Sequence, residues 1–469
     1  MADAPTVLDV MDRVGGFGDR SWSAWRTILA AIFGLPLDAE QLAVFRELTG
    51  RQSSQLEPVR EAWIVAGRRA GKSRIAALVA VFLAVFRDYS AVLAPGERGT
   101  VMVIAADRRQ ARTVFRYLVG IIEREPSLKG LVGRRTQDAL DLKNGVTIEI
   151  HVSSYRSVRG YTIVGAVLEE LAFWRDETSA NPDVEVINAL RPAMATVAGA
   201  LLLAISSPYW RRGALWSAYK ENFGRDLARA LVVQAPTLAL NPTVDPSIIG
   251  AAYETDEVAA AAEYGGQFRR DIESYVSREA VEAVVVPERR ELVPAAGIEY
   301  HAFTDAAGGS GDDSYTVAVA HAEERDGRVI AVLDSIRERR PPFSPSEVTR
   351  EFAELLHLYR VTGVVGDHYA GSWPAEQFAK HGIEYETCPE PKSAIYRDGL
   401  PMLNSGAMEL LDQPRLIAQL CGLERRTGRG GKDSIDHGPH AHDDVANCVI
   451  GALLMAADAG AYSEPARVW

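Results

Sequence analysis

Apolar residues in the first part of the chain fall into short solid blocks separated by longer, helix-length stretches. Trp63–Ala66 is such a block and reads as a short buried strand, while Ser73–Phe86 beyond it reads as a helix. The alternation continues with Val101–Ala105 as a strand, Arg108–Arg124 as a helix, Ile163–Leu168 as a strand ending in two acids, and Leu201–Ile205 as another strand. Strands and helices in alternation predict a mainly parallel sheet wrapped by helices.

Near residue 270 the pattern changes. A helical stretch, Glu257–Phe268, gives way to irregular sequence running to Ala296 with Pro287, Pro294 and a mixed run of charges. The expected division is a domain over residues 1–270, a linker over 271–296 and a second domain over 297–469. The second domain opens with three strand-like runs, Tyr300–Thr304, Tyr315–Ala322 and Val329–Ile336, parted by turns rich in Gly and Asp. Helix-like Pro345–Tyr359, the apolar run Val361–Val365, a helix from Trp373 and a last helix over His442–Ala457 complete it. Three strands followed by alternating helix and strand is the order of a ribonuclease H-like fold. The fold class expected is therefore α/β, with two domains.

Composition sets bounds on this picture. The chain has 469 residues, 47% of them hydrophobic and 24% charged, which suits folded globular domains and excludes a disordered chain. Ile75–Phe86 is too short to cross a bilayer, and Met1–Asp12 lacks the basic-then-apolar order of a signal peptide, so no membrane association and a cytoplasmic location are expected. Cys388, Cys421 and Cys448 lie far apart without the spacing of a metal site and read as reduced, buried thiols. The net charge of -12 argues against a protein that coats nucleic acid by bulk electrostatics. Contact with DNA would then fall to local clusters, of which Arg108, Arg109, Arg112 and Arg116, or Arg425, Arg426, Arg429 and Lys432, are the candidates.

Gly67-Arg68-Arg69-Ala70-Gly71-Lys72-Ser73 sits between a strand and a helix, the context that a phosphate-binding loop requires. Glycines let backbone N–H groups turn toward phosphates, the helix N-terminus adds a favourable dipole, Lys72 reaches the terminal phosphates and Ser73 offers a hydroxyl to Mg2+. The usual first Gly is one position earlier, where this chain has Ala66. Glu169 and Glu170, at the end of their strand, supply the acids that hold the metal and activate water, in that order.

The second domain offers acids at three places. Asp305 ends its first strand, Asp367 follows the apolar run Val364-Val365-Gly366, and Asp443 and Asp444 open the last helix. Carboxylates converging from separate elements are what a two-metal nuclease needs, since two divalent ions must stabilise both the attacking and the leaving oxygen. Either of Asp443 and Asp444 fits as the third ligand. Asp312 and Asp313 lie past a turn where solvent exposure is expected. His368, His440 and His442 are positioned to shape the site or touch phosphate, and Asn447 shares a helical side with the acidic pair. Thr427–Lys432, glycines among basic residues, reads as a mobile loop for backbone contact with DNA.

These motifs, in this order, resemble the large terminase subunits of tailed DNA bacteriophages over nearly the whole chain. The resemblance implies a P-loop ATPase domain that drives double-stranded viral DNA into a procapsid and a nuclease domain that cuts concatemeric DNA, with ATP and Mg2+ or Mn2+ as cofactors. It further implies that Arg68 contacts the terminal phosphate, with Arg69 as a sharer of that role, and that Gln41, in Leu37–Phe45, reads adenine. Ser153-Ser154 through Arg159-Gly160 matches a segment whose Arg acts on a neighbour's nucleotide, which makes Arg159 the arginine-finger candidate. Ser206-Ser207-Pro208 is similar to the turn that couples hydrolysis to DNA movement. Implied partners are the portal protein, a small terminase subunit and further copies of the chain in a ring, by resemblance pentameric, working in the host cytoplasm and transiently at the procapsid portal rather than in the mature virion. The competing readings are a helicase-nuclease of DNA repair and a catalytically inert nucleotide-binding protein that docks on the capsid.

Overall fold

A computed structural model describes residues 4–53, 57–153, 158, 160–174, 182–367, 373–427, 433–439 and 441–462. The chain divides into two compact units, the main part of the first reaching to Asp271 and of the second beginning at Ile272.

The first unit is built on β1 (Glu61–Ala66), β2 (Gly99–Ala105), β3 (Val132–Arg135), β4 (Ala139–Leu142), β5 (Val146–Val152), β6 (Thr162–Glu169), β7 (Leu201–Ser206) and β8 (Leu231–Ala235). They form one eight-stranded sheet in the order β3-β4-β5-β2-β6-β7-β1-β8. Pairing is parallel from β5 to β8 and antiparallel only at the β3-β4-β5 edge. Strands β2 and β7 are buried along their whole length, which is why they read as solid apolar blocks: helices cover both faces. The Lys72–Phe86 helix is buried from Ile75 to Ala84 and is apolar nearly all round for the same reason. The Arg108–Arg124 helix is one-sided instead. Asp107 caps its first turn, and Ala111, Val114, Phe115, Leu118, Val119 and Ile122 form the stripe that it buries. Because β1, β7 and β6 are adjacent and parallel, their C-terminal ends lie side by side, and β7 stands between the strand that delivers the Gly67–Ser73 loop and the one that delivers Glu169.

The second unit contains β9 (Ile272–Ser274), β10 (Val285–Val286), β11 (Tyr300–Asp305), β12 (Tyr315–Arg325), β13 (Arg328–Arg339), β14 (Gly363–Gly366), β15 (Glu384–Thr387), β16 (Met408–Leu411), β17 (Leu423–Thr427) and β18 (Asp433–His437). Its main sheet runs β10-β16-β13-β12-β11-β14-β15. The antiparallel meander β11–β12–β13, followed by β14 and β15 added parallel on the other side of β11, is the ribonuclease H-like arrangement. The Asp444–Tyr462 helix packs across β11, β12 and β13. Its Gly451 makes this possible: a Cβ there would stand 2.6 Å from the Phe303 ring.

Several expectations change here. The stretch 271–296 is not an irregular linker throughout, since it carries β9, a helix over Arg278–Val284 and β10, with Val281 and Val284 buried in the core of the second unit. The Glu257–Phe268 helix stops at Glu263, and the last helix starts at Asp444 rather than His442 and reaches Tyr462. β17 pairs antiparallel with both β18 and β9; of the expected Thr427–Lys432 loop, residues 428–432 lie outside the described residues. All three cysteines are free and buried. Among the described residues no helix is long and apolar enough to cross a membrane.

Candidate functional site

At the end of β1 the chain turns at Gly67, where a Cβ would collide with the Thr237 hydroxyl and the Tyr264 carbonyl, so no other residue fits. The loop then passes through left-handed conformations at Arg69 (φ +64°) and Gly71 (φ +89°). For a non-glycine such a conformation costs about 1 kcal/mol or more and must be held by its surroundings. It is held here: Thr237 Oγ1 donates to the Arg68 carbonyl at 2.7 Å, Asn241 Nδ2 to the Arg69 carbonyl at 2.7 Å and Trp25 Nε1 to the Ala70 carbonyl at 2.7 Å.

Lys72 opens the helix, and no side chain caps that N-terminus. Its buried ammonium donates to the carbonyls of Ala66 and Gly67, both at 3.1 Å, and to Ser207 Oγ at 2.6 Å, and it lies 3.3 Å from Glu170 Oε1. Burial lowers the Lys72 pKa, opposed by the nearby Glu170 carboxylate. Ser73 donates directly to Glu169, the last residue of β6. Burial pushes the Glu169 carboxyl up to about 7; the Ser73 hydrogen bond works against this and the Glu170 charge adds to it. Glu170 sits in a left-handed conformation (φ +50°), and its Oε2 accepts from the Ser207 backbone N–H at 2.9 Å. The Ser207 turn, delivered by the interposed β7, therefore touches both the lysine and the second acid.

The second constellation lies at the C-terminal ends of β11 and β14. These parallel strands are in register at Thr304 and Gly366, so Asp305 and Asp367, each one residue further on, emerge together. With Asp443 and Asp444 they line a cavity of about 330 Å³, along with Asp313, Lys392, His437 and the 306–311 turn. One helical turn beyond Asp444, Asn447 Nδ2 donates to Asp305 Oδ2 at 2.9 Å and to Asp367 Oδ2 at 3.4 Å, bridging two like charges. Asp305 is raised well above the ordinary carboxyl range by burial; the Asn447 bond opposes the shift, and Asp444, Asp367 and Asp443 add to it. Asp444 is pushed up to about 6 by burial against a hydrogen bond from the Ser314 N–H at 3.0 Å.

The two adjacent acids, left open by the sequence, have different surroundings. Asp443 is bound on both oxygens by Lys392 at 3.1 Å and accepts from the Tyr396 hydroxyl at 2.8 Å. Lys392 also pairs with Asp436 at 2.9 Å. Among the described residues no lysine or arginine pairs with Asp444. The donor set fits divalent metal: hard carboxylate oxygens converge, and Asp367 Oδ1 is buried without a hydrogen-bond partner among the described residues.

No family profile matches the chain, and no curated protein does. Among solved structures it is similar to the large terminase of bacteriophage HK97, with 16% identity, 94% of this chain and 99% of that one covered, and a TM-score of 0.36. It is also similar to the large terminase of a thermophilic bacteriophage in complex with ADP (14% identity, 89% and 100% covered, TM-score 0.38). A third likeness is to the large terminase nuclease of thermophilic phage G20c with bound magnesium (14% identity, 39% and 96% covered, TM-score 0.33). At these scores the likeness adds nothing to the chemistry, which stands on the residues themselves.

Some expected site residues are placed elsewhere or engaged otherwise. Gln41 forms a capping box, its Oε1 accepting from the Asp38 N–H at 3.0 Å and its own N–H donating to Asp38 Oδ1 at 2.8 Å. The Arg68 guanidinium lies 3.5 Å from Glu263 at the surface. Arg159, Ser154, His368 and His440 lie outside the described residues. Of the basic clusters, Arg108 and Arg112 pair with Asp138, Arg425 with Asp433 and Arg426 with Glu424, so much of their charge is already matched. Asp313 is exposed, as its turn suggested, yet it lines the cavity and lies 3.3 Å from His442 Nδ1. Sequence reasoning missed Lys392, Tyr396 and Asp436. Pro391-Lys392 marks a helix start, but nothing local says that this start faces the acids.

Proposed function

We propose that this chain is a large terminase subunit, an ATP-driven motor that moves double-stranded viral DNA into a procapsid and a metal-dependent endonuclease that cuts it. The observation that supports the reading is one chain bringing together Lys72, Glu170 and Ser207 in its first unit, and Asp305, Asp367, Asp443 and Asp444 around one cavity in its second.

In the first site the uncapped helix N-terminus, the glycine-shaped loop and Lys72 fit the phosphates of ATP, with Ser73 and Glu169 as holders of Mg2+. Nucleotide entry draws Lys72 away from the Ala66 and Gly67 carbonyls and from Ser207. Glu170 then serves as the base that orients and deprotonates the attacking water. Ser207, touching both groups, reports occupancy of the site to its own turn. Arg68, with Arg69 as sharer, reaches the terminal phosphate after leaving Glu263, Gln41 serves the adenine, and Arg159 acts on a neighbouring subunit's nucleotide.

In the second site Asp305, Asp367 and Asp444 would hold Mg2+ or Mn2+, which would stabilise the charge on the attacking and leaving oxygens when a DNA phosphodiester is cut. Asn447 keeps Asp305 and Asp367 together. The portal, a small terminase subunit and a ring of further copies complete the machine. The test is ATP hydrolysis with and without duplex DNA, and plasmid cleavage with Mg2+, Mn2+ or chelator, by the full chain. DNA-stimulated hydrolysis and metal-dependent cleavage are expected. Cleavage absent with both metals would remove the nuclease, hydrolysis absent under all conditions would remove the motor, and the absence of both would leave an inert nucleotide-binding protein.

A further inference from the structure

The cavity has an electrostatic problem that its metal ligands do not solve alone. Asp305, Asp313, Asp367, Asp443 and Asp444 line it, and the substrate assigned to it is itself an anion. Among the described lining residues Lys392 is the one lysine or arginine. It is placed with unusual care for a lysine: its ammonium is 3.1 Å from both Asp443 oxygens and 2.9 Å from Asp436, its side chain is 25% exposed, and Tyr396, one turn along the same helix, fixes Asp443 through its hydroxyl. An ammonium has three donors. Three carboxylate oxygens, two from Asp443 and one from Asp436, share those donors, and the exposed quarter of the side chain lets an anion in the cavity compete for one of them. Lys392 is also the first residue of the 14-residue Lys392–Ser405 helix, whose N-cap Pro391 makes no side-chain cap. The positive end of that helix adds to the lysine's field and favours an anion at the same place.

We propose that Lys392 grips the phosphodiester to be cut, and that Asp443 holds the lysine in position rather than binding metal, leaving Asp444 as the third metal ligand. The proposal rests on the nuclease reading above. It gives the two adjacent acids different jobs: one neutralises and aims a cation, the other stays free for metal. It also assigns the cavity its substrate contact, a non-bridging oxygen of a duplex DNA phosphate, read without regard to base sequence.

The experiment uses the full chain and a short DNA duplex, with calcium in place of magnesium to hold the complex uncut. Lys392→Gln should weaken binding equally for unrelated sequences and flatten the slope of log affinity against log salt by about 0.9, the loss of one phosphate contact. With Mg2+, the same variant should raise KM for DNA several-fold, and Lys392→Arg should recover most of both effects at unchanged melting temperature. Asp443→Asn should raise KM for DNA while leaving the Mg2+ requirement within twofold. An unchanged salt slope in Lys392→Gln overturns the grip. A Mg2+ requirement raised tenfold or more in Asp443→Asn, the size expected when a metal's support is lost, overturns the division of labour. If wild-type protein binds duplex DNA but cleaves it with neither Mg2+ nor Mn2+, the nuclease reading fails, and the salt slope still decides on Lys392.

Discussion

Glu169 and Asp444 keep their protons at pH values where a free carboxyl has lost them, the first to about 7 and the second to about 6, because burial penalises the charged form more than their hydrogen-bond donors favour it. With both folded-state values above the unfolded ones, the folded chain binds more protons than the unfolded chain in the interval between them. Stability of the metal-free, nucleotide-free protein should therefore be greatest below about pH 4 in these groups' contribution and fall as pH rises through 7, on the order of 3 kcal/mol for each. Asp305, shifted in the same direction, deepens the fall. Divalent metal favours the ionised forms, so Mg2+ should raise the melting temperature more at pH 8 than at pH 5; equal shifts at both would contradict the assignment of these acids to metal. For Glu170, the amide of Glu170→Gln keeps the shape but cannot take the water's proton. ATP binding should persist in that variant while hydrolysis drops by two orders of magnitude or more, and turnover near wild type would shift the role toward Glu169.

At the scale of elements, the Asp444–Tyr462 helix carries the third acid, so its seating on the sheet sets the cavity. Gly451→Ala puts a methyl into the Phe303 ring, 2.6 Å away, and overpacking of this kind costs about 1–3 kcal/mol, part of it offset by alanine's better helix propensity. The variant should melt lower and cut DNA more slowly, with ATP hydrolysis untouched; a melting temperature at or above wild type would mean that the helix is free to shift. The elements found from sequence were those whose burial writes a local pattern: Trp63–Ala66 and Leu201–Ile205 are apolar because both faces are covered, and Arg108–Arg124 coincides with its helix because Asp107 caps it and its stripe is regular. Elements decided by distant partners were not legible. β9 and β10 are only three and two residues long, too short to write a period of their own, and they exist because β17 and β16 pair with them. The site divides the same way. Acids at strand ends announce themselves, while Lys392 reaches Asp443 only through folding that brings positions 51 residues apart together.

Across the whole molecule the two sites belong to different units and should fail separately. Lys72→Ala should abolish ATP hydrolysis with cleavage intact, and Asp305→Ala or Asp367→Ala should abolish cleavage with hydrolysis intact, each measured on the full chain. Loss of both activities in any one of these variants would contradict their independence. If Arg159 works on a neighbour, mixing inactive Arg159→Ala and Lys72→Ala proteins on capsids should recover hydrolysis, since adjacent unlike subunits then complete a site; such a finger contributes about a thousandfold or more in phosphoryl transfer. No recovery despite co-assembly would remove Arg159 from that role. The central claim, that ATP hydrolysis in this chain moves DNA, is tested most directly by the amount of duplex DNA that becomes protected from added nuclease when full-length protein, purified empty procapsids and ATP are combined. ATP-dependent protection that vanishes in Lys72→Ala and persists in Asp305→Ala is the result predicted; protection that is independent of ATP, or absent while ATP is hydrolysed, would contradict it.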